Sequence, residues 1–249
     1  MRAFPDEYHR LLAAGELRLA CRVWPGPEDT VPLVLLHGLT GSADDWERIA
    51  PRLARRRTVY AWDARGHGRS DWSPDAAYAG DAHFADVAGA LDALGIERCV
   101  LAGFSMGGSV AILCAGALPE RIARLAVIDS YPDPEMTPGS RQVAEWLATL
   151  AGADRDLGFD PAIARSFAEM LDAGDPRRLD LWPFWGAADQ PALVVRGALS
   201  TVLTERMARE MLRRRPSARL VTIPDVAHAI PALRPAELTD ALESFLNGD

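Results

Sequence analysis

Short apolar runs alternate with longer helix-like segments along most of this chain, and that rhythm constrains the fold more than any other feature. The runs are VPLVLLHG (31–38), RTVYAWDARG (57–66), RCVLAGFS (98–105), IARLAVIDS (122–130), PALVVRG (191–197) and ARLVTIP (218–224). Their cores are nearly continuous in apolar residues, the pattern of strands buried on both faces. Helix-like segments occupy 43–56, 81–95, 107–120, 203–214 and 235–246. Strand–helix–strand alternation implies crossover units, hence an α/β fold with a doubly wound, mostly parallel sheet. LRLACRVW (17–24) is expected as one or two antiparallel edge strands ahead of the first parallel strand.

One interval breaks the rhythm. Residues 131–190 separate two of the strands by far more than one helix, and are too long for a plain loop. They contain helix-like pieces at 139–151 and 160–174, followed by LDLWPFWGAADQ. This predicts a small helical cap at 131–190 over the C-terminal edge of a core built from 1–130 and 191–249.

Bulk properties exclude several classes. The chain has 249 residues, enough to bury a sizeable core. Its net charge of −8 argues against a protein that grips nucleic acid by neutralising phosphates. The arginine clusters 55–57 and 213–215 are expected as solvated helix ends. All 27 basic residues are arginine, which removes lysine Schiff bases and the phosphate-loop lysine. Cys21, Cys99 and Cys114 are too few and scattered for a disulfide framework or a paired-cysteine metal site. The first residues lack the apolar core of a signal peptide, and no apolar stretch reaches the ~18–20 residues of a membrane span. The expectation is a cytoplasmic protein that needs no cofactor or metal.

The chemistry-bearing stretch is Gly103-Phe104-Ser105-Met106-Gly107, with Gly108 behind it. A serine between glycines, at the end of one apolar run and the start of a helix, fits a sharp strand-to-helix turn that exposes a nucleophile. A nucleophilic serine needs backbone N–H donors aimed at the developing oxyanion. Leu39, after His37-Gly38, can supply one, and Met106, directly after the serine, the other. Asp63-Ala64-Arg65-Gly66-His67-Gly68-Arg69-Ser70 follows the next strand, and His228 follows the last. No dinucleotide fingerprint or HExxH metal motif is present.

H-G-x-x-G, D-x-R-G-x-G-x-S, G-F-S-M-G-G and a late histidine, in this order and each after a strand, resemble the α/β-hydrolase superfamily. The resemblance runs from about residue 16 to 246 and weakens only in the cap. It implies Ser105 as nucleophile and His228 as general base. It also implies that His37 and His67 brace turns; His9, near the N-terminus, and His83, in a helix, are expected to have no role at the site.

The acid departs from the family pattern. The superfamily usually carries it in the turn after the 191–196 strand, but that turn reads Gly197-Ala198-Leu199-Ser200-Thr201-Val202, without a carboxylate. Asp129, at the end of the neighbouring strand, is the expected replacement, with Ser200 as a helper. Glu205 and the absence of any acid are the alternatives. Asp189 precedes its strand and lies at the wrong end of the sheet.

For the pocket, the cap aromatics Trp146, Trp182 and Trp185, with Trp46 and Phe104, are candidate substrate-binding residues. They favour an apolar or aromatic acyl group. The reading is thus a serine hydrolase of small-molecule esters or thioesters working through an acyl-Ser105 intermediate. One alternative is an acyltransferase that takes an acyl group from a carrier-protein thioester in natural-product biosynthesis. Another, motivated by the missing carboxylate, is a ligand-binding protein or receptor that has lost efficient catalysis.

Overall fold

The computed structural model describes residues 10–14, 17–133, 135, 137–150, 157–169 and 179–248. Strands β1 (Arg10–Ala14), β2 (Leu17–Trp24), β3 (Leu33–Leu36), β4 (Val59–Trp62), β5 (Cys99–Phe104), β6 (Ile122–Ile128), β7 (Ala192–Gly197) and β8 (Arg219–Ile223) form one sheet. Their order is β1-β2-β4-β3-β5-β6-β7-β8. All pairs from β4 to β8 are parallel, while β1–β2 and β2–β4 are antiparallel. The doubly wound, mostly parallel sheet is therefore as the sequence predicts. The strand at Arg10–Ala14, which the sequence pattern does not predict, pairs along the whole of β2's first half.

The apolar runs are near-continuous because successive side chains enter opposite cores. In β3, Val34 and Leu36 join one hydrophobic cluster and Leu33 and Leu35 the other. The same alternation holds in β5, where Cys99 and Leu101 face one way and Val100 and Ala102 the other. Helices cover both faces of the sheet. They are α1 (Ala50–Leu53), α2 (Gly80–Ala93), α3 (Met106–Ala117), α4 (Pro138–Leu150), α5 (Pro161–Glu169), α6 (Trp182–Ala187), α7 (Glu205–Arg214), α8 (Ile230–Leu233) and α9 (Pro235–Asn247). Among the described residues no helix is long and apolar enough to cross a membrane.

Three expectations need correction. The segment 43–56 is a 3-10 turn at Ala43–Trp46 followed by the short α1, not one helix. Pro51 in the first turn of α1 explains the break, since inside a longer helix its ring would clash with the carbonyl four residues back. Arg215 is not a solvated helix end: it is 5% exposed, with its guanidinium over the Trp185 ring. Finally, α6 does not belong with α4 and α5. Trp185 is fully buried in the cluster that holds α3, and its Nε1–H donates to the Met211 carbonyl of α7 at 2.9 Å. Among the described residues, α4 and α5 pack on each other above the core, where Leu147, Phe159 and Ile163 close over Tyr78, with Leu39 against them.

Candidate active site

The site sits where β5, β6 and the strand-following turns open at the C-terminal edge of the sheet, the usual crevice of such folds. Ser105, between β5 and α3, has φ 52° and ψ −117°, a positive-φ backbone that costs a non-glycine residue of order 1–3 kcal/mol. The turn is tight enough to need its glycines. A Cβ on Gly103 would lie 2.1 Å from the Gly107 carbonyl oxygen, and one on Gly107 would lie 2.5 Å from that of Leu36. The Ser105 N–H donates to the Ile128 carbonyl at 2.9 Å, so β6 holds the turn in place.

His228 lies on the segment between β8 and α8 and bridges two partners. Its Nδ1 is 2.7 Å from Asp129 Oδ2, and its Nε2 is 3.0 Å from Ser105 Oγ. An ionised carboxylate only accepts, so the Nδ1–H donates to Asp129. Nε2 is then the bare nitrogen that receives the Ser105 hydroxyl. The Phe104 ring packs 4.8 Å from the imidazole, centroid to centroid.

Asp129 stands at this point because β6 and β7 are parallel neighbours, with Ile128 opposite Val195. Its N–H donates to the Val195 carbonyl at 2.7 Å, and its φ of 46° turns the side chain out of the strand direction. The carboxylate is fully buried. Oδ1 accepts from the Gly197 N–H at 3.1 Å, and Oδ2 accepts from the Ser200 hydroxyl at 2.6 Å as well as from His228. The post-β7 turn therefore lacks a carboxylate but donates to one. Ser200 Oγ is itself fixed by the N–H groups of Val202 and Leu203 at 3.2 and 3.3 Å. Glu205 is elsewhere, exposed on α7 and paired with Arg209.

Leu39 and Met106 both line the cavity beside Ser105. Met106 is the first residue of α3, where an N–H has no intrahelical acceptor and the helix dipole favours negative charge. The loop carrying Leu39 is braced by His37. Its Nδ1–H donates to the Gly38 carbonyl at 2.7 Å, and its Nε2 accepts from the Ala64 N–H at 2.8 Å. Those roles fix the neutral tautomer, and burial lowers the His37 pKa to about 4. His67 packs against it at 5.1 Å, and burial holds it neutral too, at about 3. The D-A-R-G-H-G turn is structural in the same way. Asp63 accepts from the N–H groups of Ala43 and Arg69 at 2.7 and 2.8 Å, and Arg65 makes a bidentate pair with Asp86 at 2.6 Å.

The cavity over Ser105 has a volume of about 260 Å³. Its apolar wall comes from Val110, Leu113, Val143, Leu179, Leu181 and Val202. Among the described residues, the tryptophans expected from the sequence do not form its wall. Trp46 and Trp185 are fully buried in the two cores and Trp146 is half exposed; none of them lines the cavity. Trp182 stands one layer behind it. Its ring is covered by Arg214, and its Nε1–H donates at 3.1 Å to Asp133, which does line the cavity. Phe104 supports the imidazole rather than the cavity wall. Trp46 and Trp185 are apolar anchors of the two cores, a use that sequence cannot distinguish from pocket lining. Tyr78, Tyr131 and His83 line the cavity instead. His9 lies outside the described residues.

Comparison with known proteins agrees with this architecture. A family model described as the alpha/beta hydrolase fold matches residues 31–182. The chain is 30% identical over 266 aligned positions to the mouse (Mus musculus) sn-1-specific diacylglycerol lipase ABHD11, covering 92% of this chain and 85% of that one. It is 28% identical over 280 positions to the 3-hydroxybutyrate-oligomer hydrolase of Cupriavidus necator, covering 93% and 94%. Among solved structures, an α/β hydrolase from Novosphingobium aromaticivorans matches with a TM-score of 0.81 at 29% identity, covering 98% of this chain and 99% of that one. The chain belongs to the α/β-hydrolase fold family, and it is a hydrolase.

Proposed function

We propose that the protein cleaves a neutral ester or thioester with an apolar acyl group of modest size, through a covalent acyl-Ser105 intermediate. The observation that carries this reading is the Ser105–His228–Asp129 relay, with contacts of 3.0 and 2.7 Å at the floor of a mostly apolar cavity. The cavity is close to the lower end of the ~300–1,000 Å³ typical of small-molecule sites, which favours a short or medium acyl chain. The diacylglycerol lipase among the relatives, named for an ester-bearing lipid, supports ester chemistry.

In this reading His228 Nε2 takes the Ser105 proton as Oγ attacks the acyl carbonyl. The carbonyl oxygen becomes an oxyanion that accepts from the Leu39 and Met106 N–H groups. The tetrahedral intermediate collapses as the imidazolium returns its proton to the leaving alcohol or thiol. Water then enters, gives a proton to Nε2, and attacks the acyl carbon. Collapse of the second intermediate releases the acid and restores Ser105. Asp129 holds the Nδ1–H tautomer and stabilises the imidazolium. The carboxylate of Asp129, 2.7 Å from His228, supports catalysis over a non-catalytic receptor, for which the argument is the lack of a carboxylate in the post-β7 turn.

Fluorophosphonate labelling tests the reading. Wild type is expected to take one label, mapped by peptide mass spectrometry to Ser105, and Ser105→Ala is expected to take none. A panel of 4-nitrophenyl and N-acetylcysteamine acyl esters and thioesters should be turned over by wild type alone. Absence of both label and turnover would sink the proposal.

A further inference from the structure

The hydrogen bonds of the polar groups around the cavity leave one side chain over. Ser109 and Ser130 bond to each other at 3.0 Å. The Tyr131 hydroxyl donates to Ser140 at 2.8 Å. The Tyr78 hydroxyl donates to Asp160 and accepts from the Ser73 N–H. Asp133 accepts from Trp182, and Ser105, Asp129 and His228 form the relay. His83 lines the same cavity, is 6% exposed, and has no hydrogen-bond or ion partner among the described residues.

Its placement follows from helical periodicity. The buried positions of α2 are His83, Asp86, Val87, Ala90 and Leu91, one face of a helix. Two polar residues thus stand on an otherwise apolar stripe. Asp86 is there to hold Arg65; His83 holds nothing. The His83 ring nitrogens are not among the fully buried unpartnered atoms, so they are open to the cavity, and a ligand that pairs with one gains an interaction that an apolar ligand forgoes.

We propose that His83 is a substrate-recognition residue of this site and that it binds a hydroxyl group on the ester. This rests on the ester-hydrolase reading above. Burial, with nearby His67, Arg65 and His37, lowers the His83 pKa to about 3, so the ring is neutral under ordinary conditions. A neutral imidazole offers one N–H and one bare nitrogen. A hydroxyl matches either, because it both accepts and donates. A carboxylate fits poorly, because the adjacent cation is already committed. Arg65 gives Nε and one terminal nitrogen to Asp86 and the other terminal nitrogen to the Ala77 carbonyl. A substrate ammonium would face that same guanidinium.

The test uses the full chain and matched esters followed by pH-stat titration. Methyl hexanoate is compared with methyl 3-hydroxy- and 6-hydroxyhexanoate, which place the hydroxyl on the acyl side. Propyl hexanoate is compared with 2-hydroxyethyl hexanoate, which places it on the alcohol side. Wild type is expected to prefer at least one hydroxylated ester by about fivefold in kcat/KM, the scale of one neutral hydrogen bond. His83→Phe should bring that ratio near unity, while His83→Gln, which keeps a donor and an acceptor, should retain most of it. The arm that responds identifies the side of the ester that meets His83. The proposal is overturned if wild type has no preference in either arm, if the preference survives His83→Phe, or if Gln and Phe abolish it equally. Failure of the ester reading shows separately, as no label at Ser105 and no turnover of methyl hexanoate, and overturns this proposal with it.

Discussion

Replacing Asp129 by asparagine tests the relay most sharply, because the geometry dictates how the new amide must sit. Asp129 Oδ1 accepts a main-chain N–H from Gly197 at 3.1 Å. A buried N–H does not tolerate an NH2 group in that place, so the amide oxygen of the variant takes the Oδ1 position. The NH2 group then occupies the Oδ2 position, 2.7 Å from His228 Nδ1. It donates where the carboxylate accepted. His228 must switch to the tautomer with a bare Nδ1 and a protonated Nε2, and Nε2 can no longer take the Ser105 proton. The same swap in a serine triad costs about four orders of magnitude in turnover, which is about 5 kcal/mol of barrier. The expected result is kcat reduced about 10⁴-fold on a 4-nitrophenyl ester, with KM little changed. Glu205→Gln, on an exposed residue paired with Arg209, should stay within about twofold of wild type. A loss of less than about tenfold for Asp129→Asn, or equal losses for the two variants, would refute the assignment.

Three other outcomes follow from the geometry. Ser200→Ala removes the hydroxyl that donates to Asp129 and accepts from Val202 and Leu203. It should lower kcat about tenfold and stability by about 1–2 kcal/mol, read by ester turnover and urea midpoint; an unchanged kcat would remove Ser200 from the relay. Burial holds His37 at about 4, and His67 and His83 at about 3, whereas an unfolded histidine titrates near 6.5. Below pH ~6.5 the unfolded chain binds protons that the folded chain excludes. Stability should therefore fall with falling pH, by up to ~1.4 kcal/mol per pH unit for each histidine, and urea midpoints at pH 7.5, 6 and 5 measure it. Gly103→Ala would drive a Cβ to 2.1 Å from the Gly107 oxygen, and the steric clash should cost more than ~4 kcal/mol, seen as insoluble protein or a collapsed melting temperature.

The strands and their class are legible because burial on two faces leaves a local mark, which β3 carries in every residue and β5 in all but Phe104. The edge pairing of β1 is not legible, since Arg10–Ala14 has no periodicity that separates it from a loop; β2 supplies its partner. The segment 43–56 reads as one helix because apolar spacing outweighs Pro51 in the pattern. The packing of α6 against α3 is not legible, because tryptophans in α6 look alike in sequence whether they face a cavity or a core. His83 reads as an ordinary helical residue, although its place on the buried stripe of α2, with Asp86, is a signal available in the sequence.

The sequence by itself determined the turn at Ser105, the late histidine and the parallel sheet. These depend on neighbours along the chain: glycines two residues either side of a serine, a strand before and a helix after. The tertiary structure decided which carboxylate meets His228 and what lines the cavity. Asp129 and Ser200 are far apart in sequence, and they meet because β6 and β7 are adjacent and in register, so their C-terminal turns open on one crevice. The same convergence turns Trp46 and Trp185 inward and puts His83 on the cavity wall. Side-chain direction at a crossover depends on packing between elements, and local sequence does not encode it.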